Sequence, residues 1–210
     1  SMNTGMAGEG GGVYHSIYDS FYCYTKFSDA TFEYGRGLSQ FNGTLVMRLA
    51  GADVLPFEFA NLSDTVNQYL SEIDKLAKTG GGPGEISLAP LTSAAKSLSD
   101  SARRYEEALS KAAANGFRQV KQPKALNELL YLSERRLTNG EGLPRRPWFK
   151  HQLYAPGFYT GYGVKTIPGV REAIEEKKWN EVEPQMKVAA AALQALASQI
   201  ESATRMLEGK

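Results

Sequence analysis

The sequence predicts an all-α fold, a helical bundle with one long ordered crossover loop, and three observations carry that prediction. Leu91, Ala95, Leu98, Ala102, Tyr105, Leu109 and Ala112 recur at three- and four-residue steps, the period of a helix buried along one face. Met186, Ala189, Leu193, Leu196, Ile200, Ala203 and Leu207 form a second seam of a/d type, and Ala190, Ala191, Ala192, Ala195 and Ala197 keep the rest of that surface small enough for close helix approach. Between the two seams lies GLPRRPWFKHQLYAPGFYTGYGVKTIPGV, Gly142 to Val170. Pro144, Pro147, Pro156 and Pro168 bar a helix from running through it. A disordered linker would be polar, whereas this stretch holds Trp148, Phe149, Tyr154, Phe158, Tyr159 and Tyr162. The expectation is an ordered loop whose rings pack on the helices. Residue types alone leave a functional loop and a proline-stiffened crossover equally placed.

The remaining elements follow in order. Tyr14, Tyr18, Phe21 and Tyr22 recur at helical spacing in an aromatic stretch from His15 to about Phe27. Ser28 and Asp29 are capping types that open the next predicted helix, which runs to about Leu49 with Tyr34, Leu38, Phe41, Leu45 and Leu49 on one face. Gly35, Gly37 and Gly43 weaken it. VLPFEF is extended around Pro56, and a third helix carries Leu62, Val66, Tyr69, Leu70, Ile73, Leu76 and Ala77. TGGGPG from Thr79 is an exposed loop with no following Gly-Lys-Ser/Thr, so it is not a phosphate-binding loop. Asn115-Gly116 stops the Leu91 helix. Pro123 starts another, bearing Leu126, Leu129, Leu130 and Leu137 and ending at Asn139-Gly140. The last helix is predicted to open on Asn180 as N-cap, with Glu183 as the capping-box partner and Trp179 and Pro184 as the staple. No strand-rich section is evident.

Composition removes several classes of function. A chain of 210 residues holds one domain with a proper core. A net charge of +1 gives no electrostatic case for nucleic acid or an anionic membrane. No apolar run approaches the roughly 20 residues that span a bilayer. The opening SMNTGMAGEGGG lacks the basic start and hydrophobic stretch of a signal peptide. Residues 1–12 are read as a flexible glycine-rich lead where a longer chain was cut, Ser1-Met2 being an expression remnant. The single cysteine, Cys23, lies among Phe21, Tyr22 and Tyr24 and is expected to be a buried structural thiol.

His15 and His151 are the only histidines. A catalytic zinc site needs about three protein ligands, and neither His-Glu-x-x-His nor a paired His/carboxylate cluster is present. On residues alone, His15 is a hydrogen-bonded surface or core histidine. A di-metal four-helix bundle would need inward Glu-x-x-His pairs, which are lacking.

GLPRRPWFKHQLYAP, GYGVKTIPGV, VYHSIYD, VLPFEF and WNEVEPQMKVAAAALQALA together resemble the glutamate carboxypeptidase II family, in the family's order and over nearly the whole chain from Val13. The resemblance is to the C-terminal part: residues 13–27 match the end of the peptidase domain, within a region 13–210 that otherwise matches the transferrin-receptor-like dimerisation domain. It implies an M28-type zinc peptidase parent in which His15 is one ligand of a di-zinc site, Tyr14 touches the substrate, and Tyr162 grips the terminal side chain. It implies further that the other zinc ligands and the general base lie in an upstream peptidase domain. Where the carboxypeptidase has a lysine before that tyrosine, this chain has Gly161; Lys165 lies nearby at a different spacing. His151 is expected to make a structural hydrogen bond. The implied role is dimerisation and completion of a peptide-substrate pocket, with no catalysis by this chain alone and at most weak zinc through His15. A homodimer is expected through the Met186–Leu207 seam, with no nucleic-acid partner and no membrane contact. The implied location is extracytoplasmic. The alternative is a non-catalytic, transferrin-receptor-like protein-interaction domain, a branch that lacks the metal ligands and is therefore disfavoured by Tyr14-His15.

Overall fold

A computed structural model describes residues 4–5, 13–82, 84 and 86–210. The chain divides into two compact units, Ser1–Pro56 and Phe57–Lys210. Most of the predicted glycine-rich lead lies outside the described residues.

In the first unit, turns lead into a short helix, α1 (Phe21–Cys23), that relaxes into a π-helical turn at Tyr24–Ser28. The longer helix α2 (Glu33–Ala50) begins three residues later than an Asp29 cap predicts. Asp29 still serves that helix from outside it: Oδ2 accepts from Gly35 N, in the first turn of α2, at 3.0 Å and from the Tyr24 hydroxyl at 2.9 Å. Phe32, at φ 58°, then turns the chain into the helix. The predicted apolar face of α2 is only half covered, and Tyr34 and Phe41 are exposed. Cys23, expected to be buried, is a half-buried free thiol.

The second unit has a closed core. Helices α3 (Ala60–Thr79), α4 (Ala89–Ala114) and α7 (Trp179–Leu207) are its long members, and α4 against α7 is the most extensive pairing. All seven residues of the Met186–Leu207 seam are buried, as are Leu91, Ala95, Leu98, Ala102, Tyr105 and Ala112 of α4. The seam is therefore consumed by the chain's own core. The apolar surplus that it was expected to offer to a second copy is not there.

Two termini differ from expectation for tertiary reasons. Helix α7 starts at Trp179, one residue before the predicted Asn180 cap, and no side chain caps it. The indole instead lies over the glycine run, where a Cβ on Gly82 would come within 3.3 Å of the ring. Gly80 and Gly82 thus form a partly covered seat for Trp179. Helix α5 (Pro123–Tyr131) is shorter than predicted, because a 3₁₀ turn at Ser133–Leu137 tightens the chain and carries Leu137 into the core.

Residues 138–167 form the crossover. It contains a two-stranded antiparallel hairpin, β1 (Tyr154–Pro156) with β2 (Val164–Thr166), in the register Tyr154 with Thr166 and Pro156 with Val164. Helix α6 (Pro168–Glu175) follows and packs on α3 and α7.

Candidate functional site

The crossover is held by buried aliphatic residues and by charge, where rings were expected to do it. Leu143, Leu153, Ala155 and Ile167 are its buried apolar residues, while Trp148, Tyr154, Phe158, Tyr159 and Tyr162 all face solvent. Three of its cations pair with carboxylates of the helical body, and a fourth, on α6, reaches back to it. Arg145 Nη1 donates to Glu181 at 2.9 Å. Arg171 on α6 joins Glu72 of α3 at 2.7 Å and Thr166 Oγ1 at 2.6 Å. Lys165 Nζ lies 3.0 and 2.9 Å from the two oxygens of Glu175. The remaining pair, Arg146–Glu172, is buried on both sides, at 3% and 7% exposure. It is also the feature that sequence reading missed. A partner 26 positions away leaves no periodic signal, and two adjacent arginines look alike in sequence.

The hairpin ends in a loop of residues 157–163. Gly157 N donates to Gly163 O at 2.9 Å, and Thr160 Oγ1 donates to the same carbonyl at 2.6 Å. The fold is tight there, since a Cβ on Gly157 would fall 2.2 Å from Thr160 Oγ1. Gly161 sits at φ 56°, in the left-handed region that glycine enters freely. Its neighbour Tyr162 is fully exposed. The structure thus brings Gly161 and Tyr162 together at one outward tip. Lys165 points away into its pair with Glu175. Two shallow clefts flank the hairpin: one of about 250 Å³ walled by Trp148, Phe149, His151, Tyr154 and Val164, and one of about 340 Å³ lined by Glu72, Thr160, Lys165 and Arg171.

His151 makes the expected structural contact. Its Nδ1 accepts from Leu153 N and Tyr154 N, both at 3.3 Å, and its ring stacks on Tyr154 at 4.0 Å. Accepting at Nδ1 assigns the proton to Nε2, which lies 3.7 Å from Glu134 Oε1. Burial lowers the imidazole pKa below its usual value, against the opposing pull of Glu134. Tyr154 donates to the same carboxylate, and burial with that bond pushes its phenol up to about 12.

Tyr14 and His15 belong to the first unit. They are neighbours that stack at 3.9 Å, both exposed, with His15 at φ 61°. Among the described residues no three His, Cys, Asp or Glu side chains come together as a metal cluster. An accessible imidazole suits a zinc ligand, but one ligand falls short of the three or so that a catalytic zinc requires. The described residues therefore do not make a zinc site by themselves.

A bundle built on α3, α4 and α7 and braced by a charged crossover is a helical assembly domain. Residues 86–201, more than half of the chain, match the family model of the transferrin receptor-like dimerisation domain, and the chain belongs to that family. It is also similar to peptidases. It is 33% identical over 171 residues to the probable glutamate carboxypeptidase LAMP1 of Arabidopsis thaliana, covering 81% of this chain and 24% of that protein. It is 32% identical to a probable glutamate carboxypeptidase of Arthroderma benhamiae, over 83% of this chain and 24% of that protein. The aminopeptidase NAALADL1 of Rattus norvegicus is 26% identical over 91% of this chain and 26% of its own length. The chain thus spans about a quarter of the length of these curated relatives. Among the described residues no helix is long and apolar enough to cross a membrane.

Proposed function

We propose that this chain is the C-terminal, dimerising part of an M28-type zinc exopeptidase of the glutamate carboxypeptidase kind, and that it completes the substrate pocket without catalysing alone. The observation that carries this reading is the reach of the likeness. It extends to 171 residues, well past the 86–201 of the dimerisation match, so it takes in sequence outside the helical family model. Residues 13–27 are then the end of the peptidase domain, and 13–210 otherwise the dimerisation domain. His15 supplies one zinc ligand, and the remaining ligands and the general base come from upstream. Bound zinc would serve as a Lewis acid and lower the pKa of a water. Tyr14 and Tyr162 hold the peptide substrate. Two copies pair through the dimerisation domain as a C₂ homodimer, using a surface other than the buried Met186–Leu207 seam. The location follows the resemblance and is extracytoplasmic.

The test uses the full-length protein, stripped by chelator and reloaded with zinc. His15→Ala is expected to lower zinc affinity by about a hundredfold or more, since loss of a residue that only supports a ligand already costs about 10–100-fold. The 210-residue chain by itself should hydrolyse neither acyl-glutamates nor dipeptides. Hydrolysis by that chain, or unchanged zinc content in His15→Ala, would overturn the reading. A clean monomer mass in light scattering of the full-length protein at micromolar concentration would count against the dimer.

The same reading has a consequence for specificity. Gly161 provides no ammonium, and Lys165 is engaged by Glu175. Losing one charge-assisted partner costs about 1.5–3 kcal/mol, roughly one to two decades of affinity. The enzyme should therefore discriminate between dipeptides ending in glutamate, leucine and alanine by less than about a hundredfold in kcat/KM. A stronger preference for glutamate that survives Lys165→Ala would refute the pocket assignment.

A further inference from the structure

We infer that Glu172 is a positioning residue for the 157–163 loop: through Arg146 and the Phe158 amide it fixes the segment that presents Tyr162. The inference rests on the reading of Tyr162 as a substrate contact. The geometry is a clamp on both sides of Gly157. Glu172 Oε1 accepts from Phe158 N at 2.8 Å, and Oε2 pairs with Arg146 Nη2. Arg146 Nη1 donates to the carbonyl of Pro156, the last residue of β1. The guanidinium lies 5.6 Å from the Phe149 ring centroid and 5.7 Å from that of Phe158, within cation–π range of both.

One buried carboxylate on α6 thus reaches the two peptide groups bracketing the point where the chain leaves the sheet. The hairpin has only three paired positions of its own, and an isolated two-stranded hairpin is at best marginally stable in water. Tyr154 ties the start of β1 to His151 and Glu134, while Tyr159 and Tyr162 at the far end are exposed. The clamp is the tie between α6 and the outgoing side of the loop. Arg171, bonded to Thr166 O at 3.0 Å, fixes the other strand independently, so loss of Glu172 frees the outgoing arm of the hairpin and leaves its return anchored.

The experiment compares the full-length enzyme with Glu172→Gln, and with Arg146→Met/Glu172→Met, which removes both charges together and guards against a fold lost to one unpaired buried charge. Hydrogen exchange at the Phe158 and Gly163 amides is expected to accelerate by about tenfold or more while the amides of α4 and α7 keep their protection. KM should rise about tenfold with kcat within about threefold, because the tether serves ground-state binding. Glu172→Gln should add little to a Tyr162→Phe background. Unchanged exchange at Phe158 in the variants that fold would overturn the clamp. A lower kcat at constant KM would overturn the positioning role, since it signals only less active enzyme. If Tyr162→Phe alone leaves KM unchanged, the assignment of Tyr162 falls, and the link from clamp to substrate falls with it, while the exchange data still report on the clamp itself.

Discussion

The two units of this chain use the same kind of sequence pattern to opposite effect. In α4 and α7, apolar residues at helical spacing give continuous buried stripes. In α2 the same spacing leaves no residue buried, and the first unit's described residues hold only Asp29 and Val54 below the surface. Phe21, Tyr22, Phe27, Tyr34, Phe41 and Met47 of that unit stand exposed. Periodicity states which face of a helix wants cover. Whether cover exists depends on the rest of the fold, which α4 and α7 find in one another.

The contrast is broken most directly by charge. Leu196→Asp and Ile200→Asp place a carboxylate in a wholly buried position of α7, where an unpaired charge cannot be satisfied. Each should abolish cooperative unfolding or lower stability by more than about 4 kcal/mol. Phe41→Ser in α2, at an exposed ring, should change it by no more than about 0.5 kcal/mol. Denaturant melts of the 210-residue chain compare the three. A tolerated Leu196→Asp would place the seam at a surface after all and return it to the dimer interface.

Glycines sharpen the comparison at smaller amplitude. Gly142 opens the crossover at φ 71°, and a Cβ there would lie 2.2 Å from the carbonyl oxygen of Pro147. Gly142→Ala combines left-handed strain with a backbone collision and should cost about 3 kcal/mol. Gly43 lies mid-way along α2, and a methyl group added there would meet nothing within 4 Å. Gly43→Ala should raise the melting midpoint, by about 0.5–1 kcal/mol of helix propensity. Thermal melts showing equal losses at both sites would mean that α2 is as tightly enclosed as the crossover.

What is legible in the sequence follows the same division. The α7 seam can be read residue for residue because it repeats without interruption and its partners are equally regular. Helix starts mislead where the approach to the helix is irregular: Asp29 reaches the first turn of α2 through Gly35 from beyond a left-handed residue at Phe32, and Trp179 is held by the glycine run before Asn180 can cap anything. Local propensity loses there to tertiary contact. The order of the crossover is visible in its composition, but the cause of that order is not. Its rings suggest packing, while the order comes from buried aliphatic residues and from Arg145, Arg146, Lys165 and Arg171, whose carboxylates lie on helices that no local pattern links to the loop. The pairing of Gly161 with Tyr162 is visible as a motif. The clamp that holds their loop is not.

The smallest effect expected is a pH dependence confined to the crossover. His151 Nδ1 accepts from two backbone amides, so a proton added there has no acceptor and meets two donors. Burial reinforces this by lowering the imidazole pKa from its ordinary 6.5. The unfolded chain consequently binds more protons than the native one in the interval below 6.5, and stability rises with pH across it. The contribution is fully present above 6.5 and is lost as pH falls through the lowered native value. In the 210-residue chain, His151→Gln keeps an acceptor without a titrating ring. It should flatten the slope of stability against pH between 6.5 and the onset of carboxylate protonation. Urea melts at half-unit pH steps measure it. An unchanged slope in His151→Gln would refute the assignment to His151, and a slope of opposite sign would mean that the Glu134 carboxylate, 3.7 Å from Nε2, outweighs burial and the two amides.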